Sequence, residues 1–148
     1  MSRNKNYILK ERKQRVDLLL RELKYEILDT EYSNDSYSAT FQDSEECVMG
    51  YYVEKENKFV ECSFIFCFSA DFQDYIRDRM EELLQICCEF GVYFNLVHST
   101  SEILFSIFTK TYYAGLNYHA LKYSLSDLKK AASTLTKLLD VRTEIENN

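Results

Sequence analysis

The chain has 148 residues and a net charge of −6, with 46% hydrophobic residues and 15% aromatic residues, none of them Trp. This length suits one domain with ample apolar material for a core, and the acidic balance disfavours binding to phosphate backbones. No apolar run is long enough to span a bilayer, and no secretory h-region follows the N-terminus. We therefore expect a cytoplasmic protein with no nucleic-acid or membrane partner.

The hydrophobic pattern switches between helical spacing and strand alternation along the chain. Leu9, Val16 and Leu20 belong to the stripe of a first helix, and a long stripe after Ser69 predicts a second helix that Gly91 ends. Ser124 offers a capping box for the last helix. The predicted elements are a helix at 8–23, strands at 24–33, 37–42, 47–53 and 59–68, a helix at 69–90, strands at 92–98 and 102–113, and a helix at 124–142.

Strands grouped as hairpins favour an antiparallel sheet. The predicted fold is therefore α+β, in the order α-β-β-β-β-α-β-β-α, with about five to six strands and helices packed on the sheet. It occupies one domain over residues 1–148, with residues 1–7 and 144–148 as frayed tails. The centre of strand 59–68 is apolar on both faces, which predicts cover on both sides by helices or by another subunit.

Motifs for catalysis, cofactors and metals are absent from the sequence. Three glycines are too few for a phosphate-binding loop, and His98 and His119 lie far apart without metal-ligand spacing. We expect no enzymatic activity, no cofactor and no metal. The five cysteines are interpreted as reduced, buried thiols, in preference to a Cys–His nucleophile or a redox-active Cys87–Cys88 pair.

A basic segment covers residues 3–15, in which six cations stand against one acid. Two interpretations remain open: an arm for nucleic acid or anionic lipid, and the solvated face of the first helix, which is favoured. The cations are Arg3, Lys5, Lys10, Arg12, Lys13 and Arg15.

Aromatic residues in the strands exceed what one face of a small sheet needs. Two interpretations account for them equally well: a core rich in Phe, and an apolar surface for a partner chain or a second copy. On the second interpretation, the candidate partner-binding residues are Phe64, Phe66, Phe105, Tyr112 and Tyr113.

Four features together suggest a family: the strand block 47–68, the long helix 69–90, the strand pair 92–113 that includes Asn95, and the closing helix 124–139. This order resembles the type III secretion chaperone-like fold and, within it, the YbjN-type domains. The resemblance covers nearly the whole chain. It implies a small, acidic, cytoplasmic, usually dimeric binding protein without catalytic residues, in which an unfolded segment of a client polypeptide wraps around the chaperone.

The predicted function is accordingly that of a non-enzymatic protein-binding module, chaperone-like or regulatory, which acts as a homodimer. The alternative is a small-molecule-binding domain with an aromatic-lined pocket between sheet and helices.

Overall fold

A computed structural model describes the backbone of residues 2–147 and the side chains of residues 7–139. The predicted tails at 1–7 and 144–148 fall mostly outside the described side chains. The elements are α1 (Ser2–Glu22), β1 (Glu26–Tyr32), β2 (Ser36–Gln42), β3 (Val48–Glu54), β4 (Phe59–Ser69), α2 (Gln73–Asp78), α3 (Met80–Phe90), β5 (Tyr93–His98), β6 (Glu102–Tyr112) and α4 (Tyr118–Asn147), with short 3-10 turns at Ala70–Phe72 and Tyr113–Gly115.

The six strands form an antiparallel sheet in the order β1-β2-β3-β4-β6-β5, so β1 and β5 are its two edges. This confirms the predicted α+β class, and the order of elements matches the prediction except that two helices, α2 and α3, lie where one was predicted. Within the described residues, no helix is both long enough and apolar enough to cross a membrane.

The chain divides into two compact units, Met1–Ser63 with Lys110–Leu125, and Phe64–Thr109 with Ser126–Asn148. The single domain predicted over 1–148 stays a prediction.

In the first unit, α1 packs on β1, β2 and β3. Buried side chains recur at helical spacing on α1 and at every second position on β2 and β3, which is the pattern of an amphipathic helix on a half-buried sheet. The larger of these core residues are Leu9, Val16, Leu20, Tyr37, Phe41, Met49, Tyr51, Val53 and Val60.

In the second unit, buried side chains come from α2, α3, the inner face of β6 and α4. They include Ile76, Leu83, Cys87, Ile103, Phe105, Ile107, Leu128 and Leu135. Gly91 ends α3 with φ 68°, and its N–H bonds to the carbonyl of Cys88 at 3.2 Å, as predicted from its position after the stripe.

The helix predicted over 69–90 is broken at Arg79, which has φ −108° and ψ 7°. An Arg79 guanidinium nitrogen donates a hydrogen bond to the Tyr75 carbonyl at 3.1 Å. In a continuous α-helix this carbonyl would accept the hydrogen bond of the Arg79 backbone N–H. The Arg79 N–H instead donates to Ile76 at 3.1 Å, as in a 3-10 turn. A side chain therefore competes with the backbone at this position.

The prediction that Ser124 caps the last helix is wrong, because α4 begins at Tyr118. The cap is supplied by Asn117, whose side-chain oxygen accepts a hydrogen bond from the Ala120 N–H at 2.8 Å. Asn is among the preferred N-cap residues, so this signal was present in the sequence seven positions upstream of the predicted cap.

Candidate protein interface

The two edges of the sheet differ in charge. Edge strand β1 carries Glu26, Asp29 and Glu31, and its pairing with β2 shifts register between Ile27 and Thr30. Charges and bulges are the devices that keep sheet edges from pairing with other chains. Edge strand β5 has the sequence YFNLVH, with no acid, Lys, Arg, Pro or Gly. The β5 edge therefore lacks the protection that the β1 edge has.

Every residue of β5 is exposed. Tyr93 is 51% exposed and Val97 50%, and Phe94 and Leu96 also belong to the exposed large hydrophobic residues. An apolar strand of six residues at a sheet edge presents both its backbone polar groups and its side chains to another chain. This strand is the first part of the candidate interface.

The register with β6 separates the two faces of β5. Leu96 lies opposite the buried Phe105, which places Leu96 on the inner face that packs towards the helices. Tyr93 lies opposite Phe108 and Val97 opposite Leu104, so these pairs share the outer face. The Tyr93 and Phe108 rings stack with centroids 5.4 Å apart.

The second unit's portion of β4 adds Ile65 and Cys67, both exposed and both on the strand face that alternates with half-buried Phe64 and Phe66. Ile65 is 59% exposed, so the described residues do not supply the predicted cover on both faces of this strand. The strand segments 64–69, 93–98 and 102–109 contain a single charged residue, Glu102. We call their exposed outer side the apolar face, consisting of Ile65, Cys67, Tyr93, Asn95, Val97, Leu104, Ser106 and Phe108.

The outer face of β2, in the first unit, has a different composition, although β3 adds the exposed Val48 and Tyr52 to the same side. On β2 it presents Ser36, Ser38, Thr40 and Gln42, while the alternate residues of that strand are buried. Such hydrophobic-in, polar-out alternation is typical of an antiparallel sheet with one solvated side. The apolar face of the second unit departs from that pattern and so requires a separate explanation.

The predicted partner-binding residues are not one surface. Phe64, Phe66 and Phe105 meet in the second unit, with ring centroids 4.9 Å apart for Phe64–Phe66 and 6.1 Å for Phe66–Phe105. Phe105 is only 1% exposed. Its proposed role in a partner surface is therefore corrected to a core role, while Phe64 and Phe66 are half-buried on the inner side of the sheet.

The other two predicted residues belong to the first unit. Tyr113 is buried, and its ring centroid lies 4.2 Å from the guanidinium carbon of Arg12, so its predicted interface role is also corrected to a structural one. Tyr112 is 59% exposed, with its ring 5.6 Å from that of Phe59. The residues of β5 were missed because nothing in the sequence states which strand lies at the sheet edge.

The thiols are free, as expected, but only Cys62 and Cys87 are buried. Cys67 and Cys88 are exposed, so the interpretation of all five as buried thiols is wrong. The Cys67 thiol donates a hydrogen bond to Glu102 Oε2 at 3.3 Å, and this carboxylate raises the pKa of Cys67. A raised pKa makes that thiol a weaker nucleophile, not a more reactive one.

One cavity described in the second unit is small. A cavity of about 170 Å³ lies between α2 and the inner sheet face, lined by residues that include Ile76, Met80 and Leu96. Typical ligand pockets enclose about 300–1,000 Å³. Among the residues with described side chains, no group of three or more His, Cys, Asp or Glu is placed to hold a metal ion.

Comparison with known proteins shows the fold and no more. No family model matches the chain. No curated protein matches it either. A crystal structure of an uncharacterized protein from Methanothermobacter thermautotrophicus is similar to it, with a TM-score of 0.70 and 16% sequence identity, over 88% of this chain and 97% of that one. At this identity the similarity shows a shared fold without indicating activity.

Proposed function

We propose that this chain is a non-enzymatic, cytoplasmic protein-binding module, chaperone-like or regulatory in role, and that it acts as a homodimer joined through β5. The observation that carries the proposal is the contrast between an acidic β1 edge with a shift in register and an uncharged, fully exposed β5 edge on the same sheet. The resemblance to secretion-chaperone-like and YbjN-type domains agrees with this proposal.

Two copies of β5 suit each other in geometry. An antiparallel pair of identical strands is self-complementary about a twofold axis, which is the symmetry of most soluble homodimers. Pairing would join two sheets edge to edge and satisfy the outward backbone groups of both β5 strands.

Charge also favours a second copy at this place. Each chain carries −6, so two copies repel one another over most of their surfaces. Along β5 and the apolar face there is no acid apart from Glu102 at the margin. Burying these apolar side chains against a second copy therefore requires little desolvation of charged groups. The two apolar faces would then lie on one extended sheet, which offers a client polypeptide a continuous uncharged surface.

Hydrogen exchange tests the proposal directly. We expect the amides of β5 to become protected when the protein concentration rises through the dimer dissociation constant, while those of β1, the opposite edge, do not change. Equal exchange of β5 amides at all concentrations would contradict dimerisation through this strand. Protection of β1 alone would assign the interface to the other edge.

A further inference from the structure

The described part of the basic segment predicted over 3–15 divides into two sets of side chains with different roles, while Arg3 and Lys5 lie outside the described side chains. Arg12 and Arg15 turn towards backbone carbonyls of the first unit, at 2.5–3.1 Å. Lys10 and Lys13 instead line a groove of about 330 Å³ between α1 and the turn that joins β1 to β2. This volume lies within the range of ligand pockets.

The polar side chains of this groove are all hydrogen-bond donors. Helix α1 contributes Gln14 in addition to the two lysines, and the β1–β2 turn contributes Ser33 and Asn34. Ammonium, amide and hydroxyl groups all donate hydrogen bonds. Among the described side chains that line the groove there is no carboxylate, although the chain as a whole is acidic. The amides and the hydroxyl can accept hydrogen bonds as well, so it is the two ammonium groups that favour a ligand with negative charge.

One carboxylate lies behind the lining and positions it. Lys13 Nζ is 3.6 Å from Asp17 Oδ2, and the buried Asp17 accepts a hydrogen bond from the Tyr51 hydroxyl at 2.5 Å. The pair with Asp17 offsets the charge of Lys13, so the net positive charge of the groove rests on the exposed Lys10. At the turn, the nearby Asp35 carboxylate is paired with Lys55 at 3.4 Å.

The remaining walls are apolar. Leu9 and the ring of Tyr32 line the groove, and Tyr32 is held against Tyr37 with ring centroids 4.5 Å apart. Lys13 Nζ lies 5.1 Å from the centroid of the Tyr37 ring, which fixes this cation at the base of the aromatic wall. A charged end and an apolar wall together suit a ligand with both an anionic group and a hydrocarbon body.

We propose that this groove binds a small organic carboxylate, with the carboxylate at the Lys10 and Lys13 ammonium groups and the apolar body against Tyr32 and Leu9. The site is independent of β5 and of the proposed dimer.

The test is a titration followed by backbone amide shifts, with benzoate as the probe. Benzyl alcohol supplies the same ring without charge, and inorganic phosphate supplies charge without the ring. We expect saturable shifts from benzoate at the groove residues, and binding roughly tenfold weaker for benzyl alcohol, as loss of one charged contact implies. Lys10→Gln should weaken benzoate binding about five- to tenfold, whereas Lys130→Gln, an exposed lysine of α4, should leave it unchanged.

Three results would overturn the proposal. One is the absence of saturable shifts at a benzoate concentration about ten times the millimolar dissociation constant that is expected for a ligand of this size. Another is equal weakening by Lys10→Gln and Lys130→Gln, which would mean nonspecific attraction of anions. The third is tighter binding of phosphate than of benzoate, because the apolar wall would then have no part in recognition.

Discussion

The guanidinium of Arg12 lies over the ring of the core residue Tyr113, with 4.2 Å between the guanidinium carbon and the ring centroid. Its Nη1 also donates to the carbonyls of Glu54, Lys55 and Asn57 at 2.8–3.0 Å, which ties α1 to the turn between β3 and β4. The planar, always-charged guanidinium suits both contacts. The basic segment is therefore partly a structural device, which neither sequence-based interpretation of it anticipated.

Replacing Arg12 tests this role. Arg12→Lys keeps the charge but loses the fork geometry and the stacking, and we expect the free energy of unfolding to fall by about 1.5–3 kcal/mol. Urea denaturation measures it. Arg21→Lys, on an exposed position of the same helix, is the matched control and should change stability by less than about 0.5 kcal/mol. Equal effects of the two substitutions would show that the Arg12 contacts are not stabilising.

If Phe105 and Tyr112 shared one partner surface, truncating either to Ala would change the free energy of unfolding by a similar small amount. We expect very different changes instead. Phe105→Ala removes a side chain that is 1% exposed, and we expect a loss of about 3–5 kcal/mol in the free energy of unfolding. Tyr112→Ala, at a position 59% exposed, should cost less than about 1 kcal/mol. A mild effect at Phe105, measured by the same urea titration, would return that residue to the list of surface candidates.

Thiol labelling distinguishes the exposed cysteines from the buried ones. In the native protein we expect Cys88 to react fastest and Cys67 more slowly, because Glu102 raises the pKa of Cys67. Cys62 and Cys87 should react only after unfolding. Mass spectrometry of timed samples gives the rates. Glu102→Gln should accelerate the labelling of Cys67 and leave Cys88 unchanged, and an unaltered Cys67 rate would argue against the hydrogen bond.

Alkaline pH should destabilise the fold through Cys62. Burial raises the pKa of this thiol from an ordinary value of 9.0 to about 12. Because the folded-state pKa is the higher one, the unfolded chain loses its proton first as pH rises, and the stabilising contribution present below pH 9.0 is lost progressively up to about 12. Buried Tyr113, whose pKa burial raises from 10.0 to about 12, acts in the same direction.

Urea midpoints at several pH values above about 8 measure this dependence. We expect the slope of stability against pH to be shallower in Cys62→Ala than in the natural protein, and unchanged in Cys88→Ala, whose thiol is exposed. An identical slope in all three proteins would contradict the assignment to Cys62.

Local patterns were enough to predict the elements of this fold. Alternation in β2 and the helical stripe through Val16 and Leu20 reflect which face each element buries, and that is a property of neighbouring residues. The hairpin grouping of the strands then favoured the antiparallel sheet. The αL position of Gly91 was likewise a local signal.

Tertiary relationships could not be read in this way. The break at Arg79 involves its side chain reaching the Tyr75 carbonyl, and buried Tyr113 packs against Arg12, about a hundred residues earlier in the chain. The candidate interface was missed for the same reason. The sequence of β5 resembles that of a covered strand, and only the strand order shows that it lies at an edge.

The most direct measurement of the central claim is the mass in solution of the natural protein, Val97→Lys and Val48→Lys by light scattering at one concentration. Val97 and Val48 are 50% and 46% exposed on different strands, so the two substitutions add the same charge to similar positions. Circular dichroism establishes that each variant is folded. We predict twice the 17.6 kDa chain mass for the natural protein and Val48→Lys, and the single-chain mass for Val97→Lys. A natural protein of single-chain mass, or a Val97→Lys protein that remains dimeric, would contradict association through β5.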